Sequence, residues 1–391
     1  MKIAVDATCW NNRRGFGRFT RELVAAMAAA RGDRELVLVV DEQTAASAEF
    51  PAGVEVCTVQ VSEAPIEAAS AESSRSLIDL WRFRQAVVRL EPDVIFFPAV
   101  YSFFPVPSDI PTLVTIHDVI AETHPDQIFA STTARWLWNQ KVQAALRSSN
   151  KIATVSQNAR LRIAKEFGRN SDEIVVIGEG VDERFQRQDI AKQAAAREQF
   201  GIAADEPILL YVGGISPHKN LAALIRSLRL LADRGATDWR LVLAGEVDRD
   251  SFYSAHKKVR STIRDCGLEE RVVFTGYVDD QTLAALYSAA RMLVLPSPDE
   301  GFGLPAAEAM ACGAPVAASN AGALPEVVGG AGVLFDPLDE NAMAAAIEQL
   351  LNDDELRAGC SRIGVERAKQ HRWSTVADKV FAELERIAGT R

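Results

Sequence analysis

The sequence predicts two doubly wound α/β domains in series. Three observations carry this. Short apolar, β-branched runs alternate with longer amphipathic stretches along nearly the whole chain. The rhythm breaks once and restarts. And 391 residues exceed what a single hydrophobic core supports. The strand runs are continuously apolar rather than alternating, which fits parallel sheets covered on both faces.

In the first half the runs are Ile3–Asp6, Glu35–Val40, Val54–Val59, Asp93–Phe97, Thr112–Ile116, Lys151–Val155 and Glu173–Ile177. Arg18–Ala30, Ser74–Leu90, Thr132–Ser148 and Ser156–Phe167 read as the helices between them. Asp182–Asp205 is charged and rich in Gln and Ala, a connector with some helix. The second set of strands is Ile208–Val212, Arg240–Ala244, Val272–Phe274, Met292–Leu295, Pro315–Ala318 and Val333–Phe335. The domains are placed at 1–183 and 184–371. Ligands of such sheets bind beyond the carboxyl ends of the strands, with the cleft between domains as the natural place.

Composition narrows the partners. The chain is 48% hydrophobic and 25% charged, with a net charge of −10, so nucleic acid is not expected as the main partner. Cys9, Cys57, Cys266, Cys312 and Cys360 form no CxxC pair or zinc spacing and read as reduced, buried thiols. Met1–Thr8 reads as a first buried strand rather than a signal peptide, and no window approaches the ~18 apolar residues of a membrane span. A cytoplasmic protein follows as the expectation, with peripheral contact at the inner face of the membrane left open.

The strongest chemical signal follows Met292–Leu295, in Pro296-Ser-Pro-Asp-Glu300-Gly-Phe-Gly-Leu-Pro305-Ala-Ala-Glu308-Ala-Met-Ala-Cys-Gly313. The glycines allow a tight loop and close approach of a ligand to the backbone. Pro305 suits the first turn of a helix and Gly313 its end. Free backbone N–H groups at that helix start can hold a phosphate, and Glu300 and Glu308 can accept bonds from sugar hydroxyls. Taken alone, such a Glu pair is more often a solvated loop acid and a helix surface acid. The Gly-Phe-Gly-Leu-Pro between them reverses that preference.

This stretch resembles the E-x7-E signature of retaining glycosyltransferases with the GT-B fold, in particular the fourth family, glycosyl transferases group 1. Tyr211-Val-Gly-Gly-Ile-Ser-Pro-His-Lys219-Asn, Leu243-Ala-Gly-Glu246, Phe274-Thr-Gly-Tyr-Val278, Ala323-Leu-Pro-Glu326 and Thr154-Val-Ser156 fall in the family's order. The resemblance implies that Glu308 binds the nucleotide ribose and Glu300 the hydroxyls of the transferred sugar. Phe302, Gly303 and Leu304 would present backbone amides to sugar or diphosphate, and Lys219 would neutralise the leaving diphosphate. Gly213, Gly214, Tyr277 and Val278 join the donor-binding set. His117, at the end of Thr112–Ile116, would line the reaction centre, whereas Asp118 reads as a loop or cap residue and His124, His256 and His371 as structural or exposed. The loop Trp10-Asn-Asn-Arg13-Arg14-Gly15-Phe-Gly17-Arg18 resembles the family's loop facing donor phosphates and acceptor. Trp373–Ile387 resembles the terminal helix that crosses back to the N-terminal domain.

Two departures stand out. Many relatives carry Arg at Gly214, so positive charge has to come from His218, the amides of Gly213 and Gly214, or Arg18. Relatives also often read Pro-Asn-Gly-Val-Asp where this chain has Gly178-Glu179-Gly180-Val181-Asp182. The aromatic run 96–107 reads first as packing under a long loop, and second as a lining for a lipid-linked acceptor. The implied reaction is retaining, metal-independent transfer from a nucleotide-sugar to a hydroxyl of a glycan or lipid-linked acceptor, the nucleotide-sugar being a substrate and no cofactor being needed. The Gly-Gly-Ile-x-Pro-x-Lys-Asn variant resembles mannosyltransferases of surface polysaccharide assembly and points to GDP-mannose or another GDP-sugar. Other readings are a GT-B nucleotide-sugar epimerase and a non-catalytic sugar-nucleotide-binding component of an assembly complex. A glycan phosphorylase would need a Schiff-base lysine region that is not recognisable here.

Overall fold

The structure is a computed structural model that describes residues 1–12, 15–62, 76–236, 238–245 and 253–389. Arg13, Arg14, Glu246 and the first two residues of the Ser74–Leu90 stretch lie outside them. The chain divides into two compact units, 1–180 with the segment from Trp373 onward, and Val181–Arg372.

The N-terminal unit holds seven parallel strands in the order β3-β2-β1-β4-β5-β6-β7. They are β1 Lys2–Asp6, β2 Glu35–Asp41, β3 Glu55–Val59, β4 Val94–Phe97, β5 Thr112–Thr115, β6 Lys151–Thr154 and β7 Ile174–Val176. Every run read from the sequence is a strand, with ends shifted by one residue at most places. Central strands are buried on both faces, and β4 is fully apolar and fully buried. β3, at the sheet edge, keeps most of its residues exposed or half-exposed, which is where a parallel sheet can meet water.

Helices begin where short polar side chains cap them. Ser131 accepts the Ala134 N–H at 3.1 Å and Ser156 that of Ala159 at 3.0 Å. Each such cap contributes about 1 kcal/mol. The Thr154-Val-Ser156 motif therefore has a structural reason: it ends β6 and starts the helix Gln157–Phe167. The final helix, Trp373–Ala388, packs on the helix Gly15–Ala29 and joins the N-terminal unit.

The aromatic run is core. Phe96, Phe97, Phe103 and Phe104 are at most 2% exposed, and in one cluster Phe104 stacks on Phe83 and meets Phe97 edge-on. An acceptor-lining role for these four rings is thereby ruled out, because burying them offsets the entropy of a long ordered loop.

The C-terminal unit has six parallel strands in the order β10-β9-β8-β11-β12-β13. They are β8 Ile208–Val212, β9 Arg240–Ala244, β10 Val272–Gly276, β11 Met292–Leu295, β12 Val316–Ser319 and β13 Gly332–Phe335. The connector carries one helix, Ile190–Gln199, capped by Asp189.

The loop after β1 turns so tightly that a Cβ on Gly17 would stand 2.0 Å from the Asn12 carbonyl oxygen, while one on Gly15 would meet nothing within 4 Å. Gly17→Ala should therefore lower stability by about 1–3 kcal/mol, the cost of overpacking. Gly15→Ala should stay within about 0.5 kcal/mol, like other open surface changes. Thermal denaturation of the two variants side by side checks this, and equal melting points would refute it.

Candidate functional site

In the C-terminal sheet the strand order reverses between β8 and β11, so loops 213–220 and 296–303 flank one crevice at their carboxyl ends. Lys219 ends the short turn Pro217–Lys219 in the first loop, and Glu300 lies in the second. Lys219 Nζ donates to both oxygens of Glu300, at 2.8 and 2.9 Å. Both side chains are largely enclosed, 20% and 15% exposed. Burial pushes the Glu300 carboxyl up, but the Lys219 ammonium, aided by His218, more than reverses this and holds it below the usual carboxylate range.

The backbone around this pair is locked. Asn220 adopts a left-handed conformation at φ 58°, and its Nδ2 donates to the carbonyls of Pro296 (3.2 Å) and Pro337 (2.8 Å). Gly303, at φ 95°, caps the helix Leu304–Ala311, and a Cβ there would stand 2.6 Å from Leu324 Cδ2. Gly322 approaches Glu300 so closely that a Cβ would be 2.7 Å from its nitrogen. The Ala323 N–H donates to the Glu300 carbonyl at 3.1 Å. The Ala323-Leu-Pro-Glu326 motif thus backs the Glu300 loop. Its sequence signal was legible; its role was not.

Glu308 sits one turn into the helix Leu304–Ala311, 3% exposed, accepting a bond from the Tyr287 hydroxyl at 3.0 Å. Tyr287 is fully buried and shows no motif in sequence; only the fold brings it to Glu308. Burial, and then the Glu308 charge, push the neighbouring Cys312 thiol up to about 12, so it stays protonated. Phe302 is buried with its ring edge-on to His371 at 5.3 Å, which leaves its backbone, not its ring, for a ligand.

One expectation is corrected. The Gly213 N–H donates to the Ala244 carbonyl at 3.0 Å, so that amide is engaged in the sheet and is not a phosphate donor. Gly214 is exposed, and its carbonyl accepts the Tyr211 hydroxyl at 2.8 Å. Burial first, and the Glu300 charge second, raise the Tyr211 phenol well above its ordinary value, so it remains a neutral donor. His218 lies beside Ser216 Oγ at 3.2 Å. Tyr277, exposed, and Val278 follow β10 at the sheet edge, two strands away from β8.

The N-terminal sheet reverses between β1 and β4, and there the joining contact is aromatic. Phe16, in the first turn of the helix Gly15–Ala29, stacks on Tyr101 at 4.6 Å. Arg21 holds the glycine loop together by donating to the carbonyls of Trp10 and, at 3.1 Å, Asn12. Arg18 is half-buried on the same helix. His117 follows β5, with Nε2 3.0 Å from the Pro98 carbonyl and Nδ1 3.5 Å from Glu179. Asp118 accepts the Ile120 N–H at 2.9 Å, a turn-forming bond. Four residues on, Glu122 accepts from Trp138 Nε1 at 2.8 Å.

Two family descriptions match the chain: "Glycosyltransferase Family 4" over residues 13–185 and "Glycosyl transferases group 1" over 175–367. The O-antigen chain mannosyltransferase B of Escherichia coli is 34% identical over 260 residues, 66% of this chain and 66% of that protein. The serotype-specific mannosyltransferase WbdA of Escherichia coli is 27% identical over 315 residues, 77% of this chain. The chain spans 38% of WbdA's length. Among solved structures, sucrose-phosphate synthase from Thermosynechococcus elongatus aligns over all of both chains with TM-score 0.78 at 23% identity. WaaG, a glycosyltransferase involved in lipopolysaccharide biosynthesis, gives 0.76 at 16% identity over 98% of this chain and 99% of its own. These structures share the GT-B fold.

Glu122 offers a pH test of the His117 region. Burial, reinforced by Asp118 and Glu166, raises its carboxyl to about 7, against the bond from Trp138. An unfolded Glu releases its proton near pH ~4.3. Between these values the folded chain binds more protons than the unfolded one, so this group makes stability fall as pH rises toward 7. Glu122→Gln should remove that slope. The melting-temperature difference between variant and wild type should move in the variant's favour from pH 5 to pH 8; a pH-independent difference would count against it.

Proposed function

The chain belongs to the glycosyl transferases of group 1, and from that premise we propose that it transfers a sugar from a nucleoside diphosphate sugar to a hydroxyl of a glycan or lipid-linked acceptor, with retention at the anomeric carbon. One observation carries the reading: Glu300 and Glu308 stand on either side of one glycine turn beside Lys219, at the point where the strand order reverses. We assign the diphosphate to the start of the helix Leu304–Ala311 and to Lys219, the ribose to Glu308 and the sugar hydroxyls to Glu300. Gly214, His218 and Arg18 are the further groups for phosphate or acceptor contact, and His117 is the polar group of the N-terminal unit assigned to sugar or acceptor. The mannosyltransferase names among the relatives favour GDP-mannose as donor.

Chemistry follows from charge. As the sugar–phosphate bond breaks, negative charge grows on the diphosphate, and fixed donors aimed at it lower the barrier. Lys219 is bonded to Glu300, so the arriving diphosphate competes for the ammonium while the sugar hydroxyls take over the carboxylate. Backbone amides and Lys219 serve in place of a divalent metal in this reading, so a chelator should leave turnover unchanged.

Lys219→Ala should cut turnover about a hundredfold or more, the usual cost of a lost charge-stabilising donor. Wild-type rates would remove its role. An Ala at Glu308 would remove the acceptor of the buried Tyr287 hydroxyl's bond, so Glu308→Gln is the cleaner test. Losing a charge-assisted bond of ~1.5–3 kcal/mol should weaken nucleotide affinity about tenfold or more in calorimetry. A thermal-shift screen of UDP-, GDP-, ADP- and dTDP-sugars, followed by anomer assignment of the product, identifies the donor. An inverted product would reject the retaining reaction.

A peripheral membrane contact belongs to this reading too. The helix Leu77–Leu90 exposes Leu77 (84%), Ile78 (61%) and Trp81 (58%) on a helix that also bears Arg82, Arg84 and Arg89. Apolar and basic groups on one short helix suit an anionic lipid surface, and no described helix is long and apolar enough to cross a membrane. Sedimentation with anionic vesicles should bind the protein and Trp81→Ser should weaken it; equal binding to neutral vesicles would refute the charge argument.

A further inference from the structure

Glu179 replaces the Asn that relatives often carry, and the structure gives the change a partner. Its carboxylate stands 3.5 Å from His117 Nδ1, with the side chains 13% and 12% exposed. On the other side of the ring, Nε2 is 3.0 Å from the Pro98 carbonyl oxygen. A carbonyl only accepts, so Nε2 carries a proton. Nδ1 then faces a carboxylate, which also only accepts, at ion-pair distance. An Asn amide could instead donate to the Nδ1 lone pair. The exchange of Asn for Glu therefore reverses what the ring nitrogen is asked to do.

The surroundings hold this arrangement rigidly. The Phe19 ring meets the imidazole edge-on at 4.5 Å and meets Trp373 at 5.4 Å. A Cβ on Gly180 would lie 2.5 Å from the same indole, so the loop bearing Glu179 is pressed against the ring that backs Phe19. The contacts run from Glu179 through His117, Phe19 and Trp373 and return to Gly180.

We propose that Glu179 is a positioning residue for His117, holding the imidazole at Nδ1 while the Pro98 carbonyl holds it at Nε2, in one orientation. This rests on the reading that His117 contacts substrate, but the pairing itself can be measured without turnover.

The test uses the full-length protein, labelled with 15N, as wild type, Glu179→Gln, Glu179→Asp and His117→Gln. Ring-nitrogen spectra, assigned by the signals lost in His117→Gln, should show Nε2 protonated throughout. The Nδ1 signal should change in Glu179→Gln and return toward wild type in Glu179→Asp. In turnover, Glu179→Gln should lower kcat about tenfold with donor KM within about twofold, and should add little in the His117→Gln background. An unchanged Nδ1 signal overturns the proposal. So does a kcat loss that simply adds to that of His117→Gln. If no donor supports turnover even in wild type, the functional reading fails, and the spectra still decide the pairing.

Discussion

The bidentate bond from Lys219 to Glu300 is the contact on which the crevice of the C-terminal unit depends. It joins loops leaving two different strands, β8 and β11, which meet only because the strand order reverses between them. Removing either partner would leave the other charge partly buried and unmatched, which costs far more than the pair gains over well-packed apolar groups. The backbone has little freedom to relax around such a loss. Asn220 ties the Lys219 turn to Pro296 and Pro337, and Gly303 and Gly322 are pressed against Leu324 and Glu300. The pair is held from both sides before any ligand arrives.

The N-terminal unit joins the loops at its reversal point through aromatic rings. Its reversal point lies between β1 and β4, and the loops there are joined by the Phe16–Tyr101 stack. His117 lies between the Pro98 carbonyl, the Glu179 carboxylate and the Phe19 ring, its Nε2 held by the backbone carbonyl. The contrast has a physical basis. An ammonium bonded to a carboxylate can be drawn away by a stronger anion, whereas an imidazole held by a backbone carbonyl keeps its orientation whatever enters.

Much of this was legible because it is local. Strands such as Ile208–Val212 and Met292–Leu295 are continuous apolar runs, and burial on both faces leaves no other pattern available. Glu300 and Glu308 were legible because a glycine turn and a helix start fix their separation within nine residues of sequence. What sequence could not supply is contact across distance. Tyr287 reaches Glu308 from a different helix, and Glu179, in the loop after β7, reaches His117 in the loop after β5. The amide of Gly213 looked available to a phosphate because nothing local shows that β9 claims it through Ala244. The phenylalanines of 96–107 could be read two ways, as packing or as a lipid surface, since apolar loop residues look alike until the core they fill is seen.

A prepared ion pair also changes how the missing arginine at Gly214 should be understood. A second free cation beside Lys219 would add attraction for the diphosphate before and after reaction alike, and uniform attraction slows release as much as it aids binding. With Glu300 bonded to the ammonium, the positive charge is partly spent in the free protein, and in the proposed reading it becomes available as sugar hydroxyls take the carboxylate. Attraction for the anion would then rise only when the sugar end is also seated. The glycine at 214 does not leave a gap in the site. In the proposed reading it leaves the diphosphate chiefly to Lys219, whose partner is the acid assigned to the sugar hydroxyls.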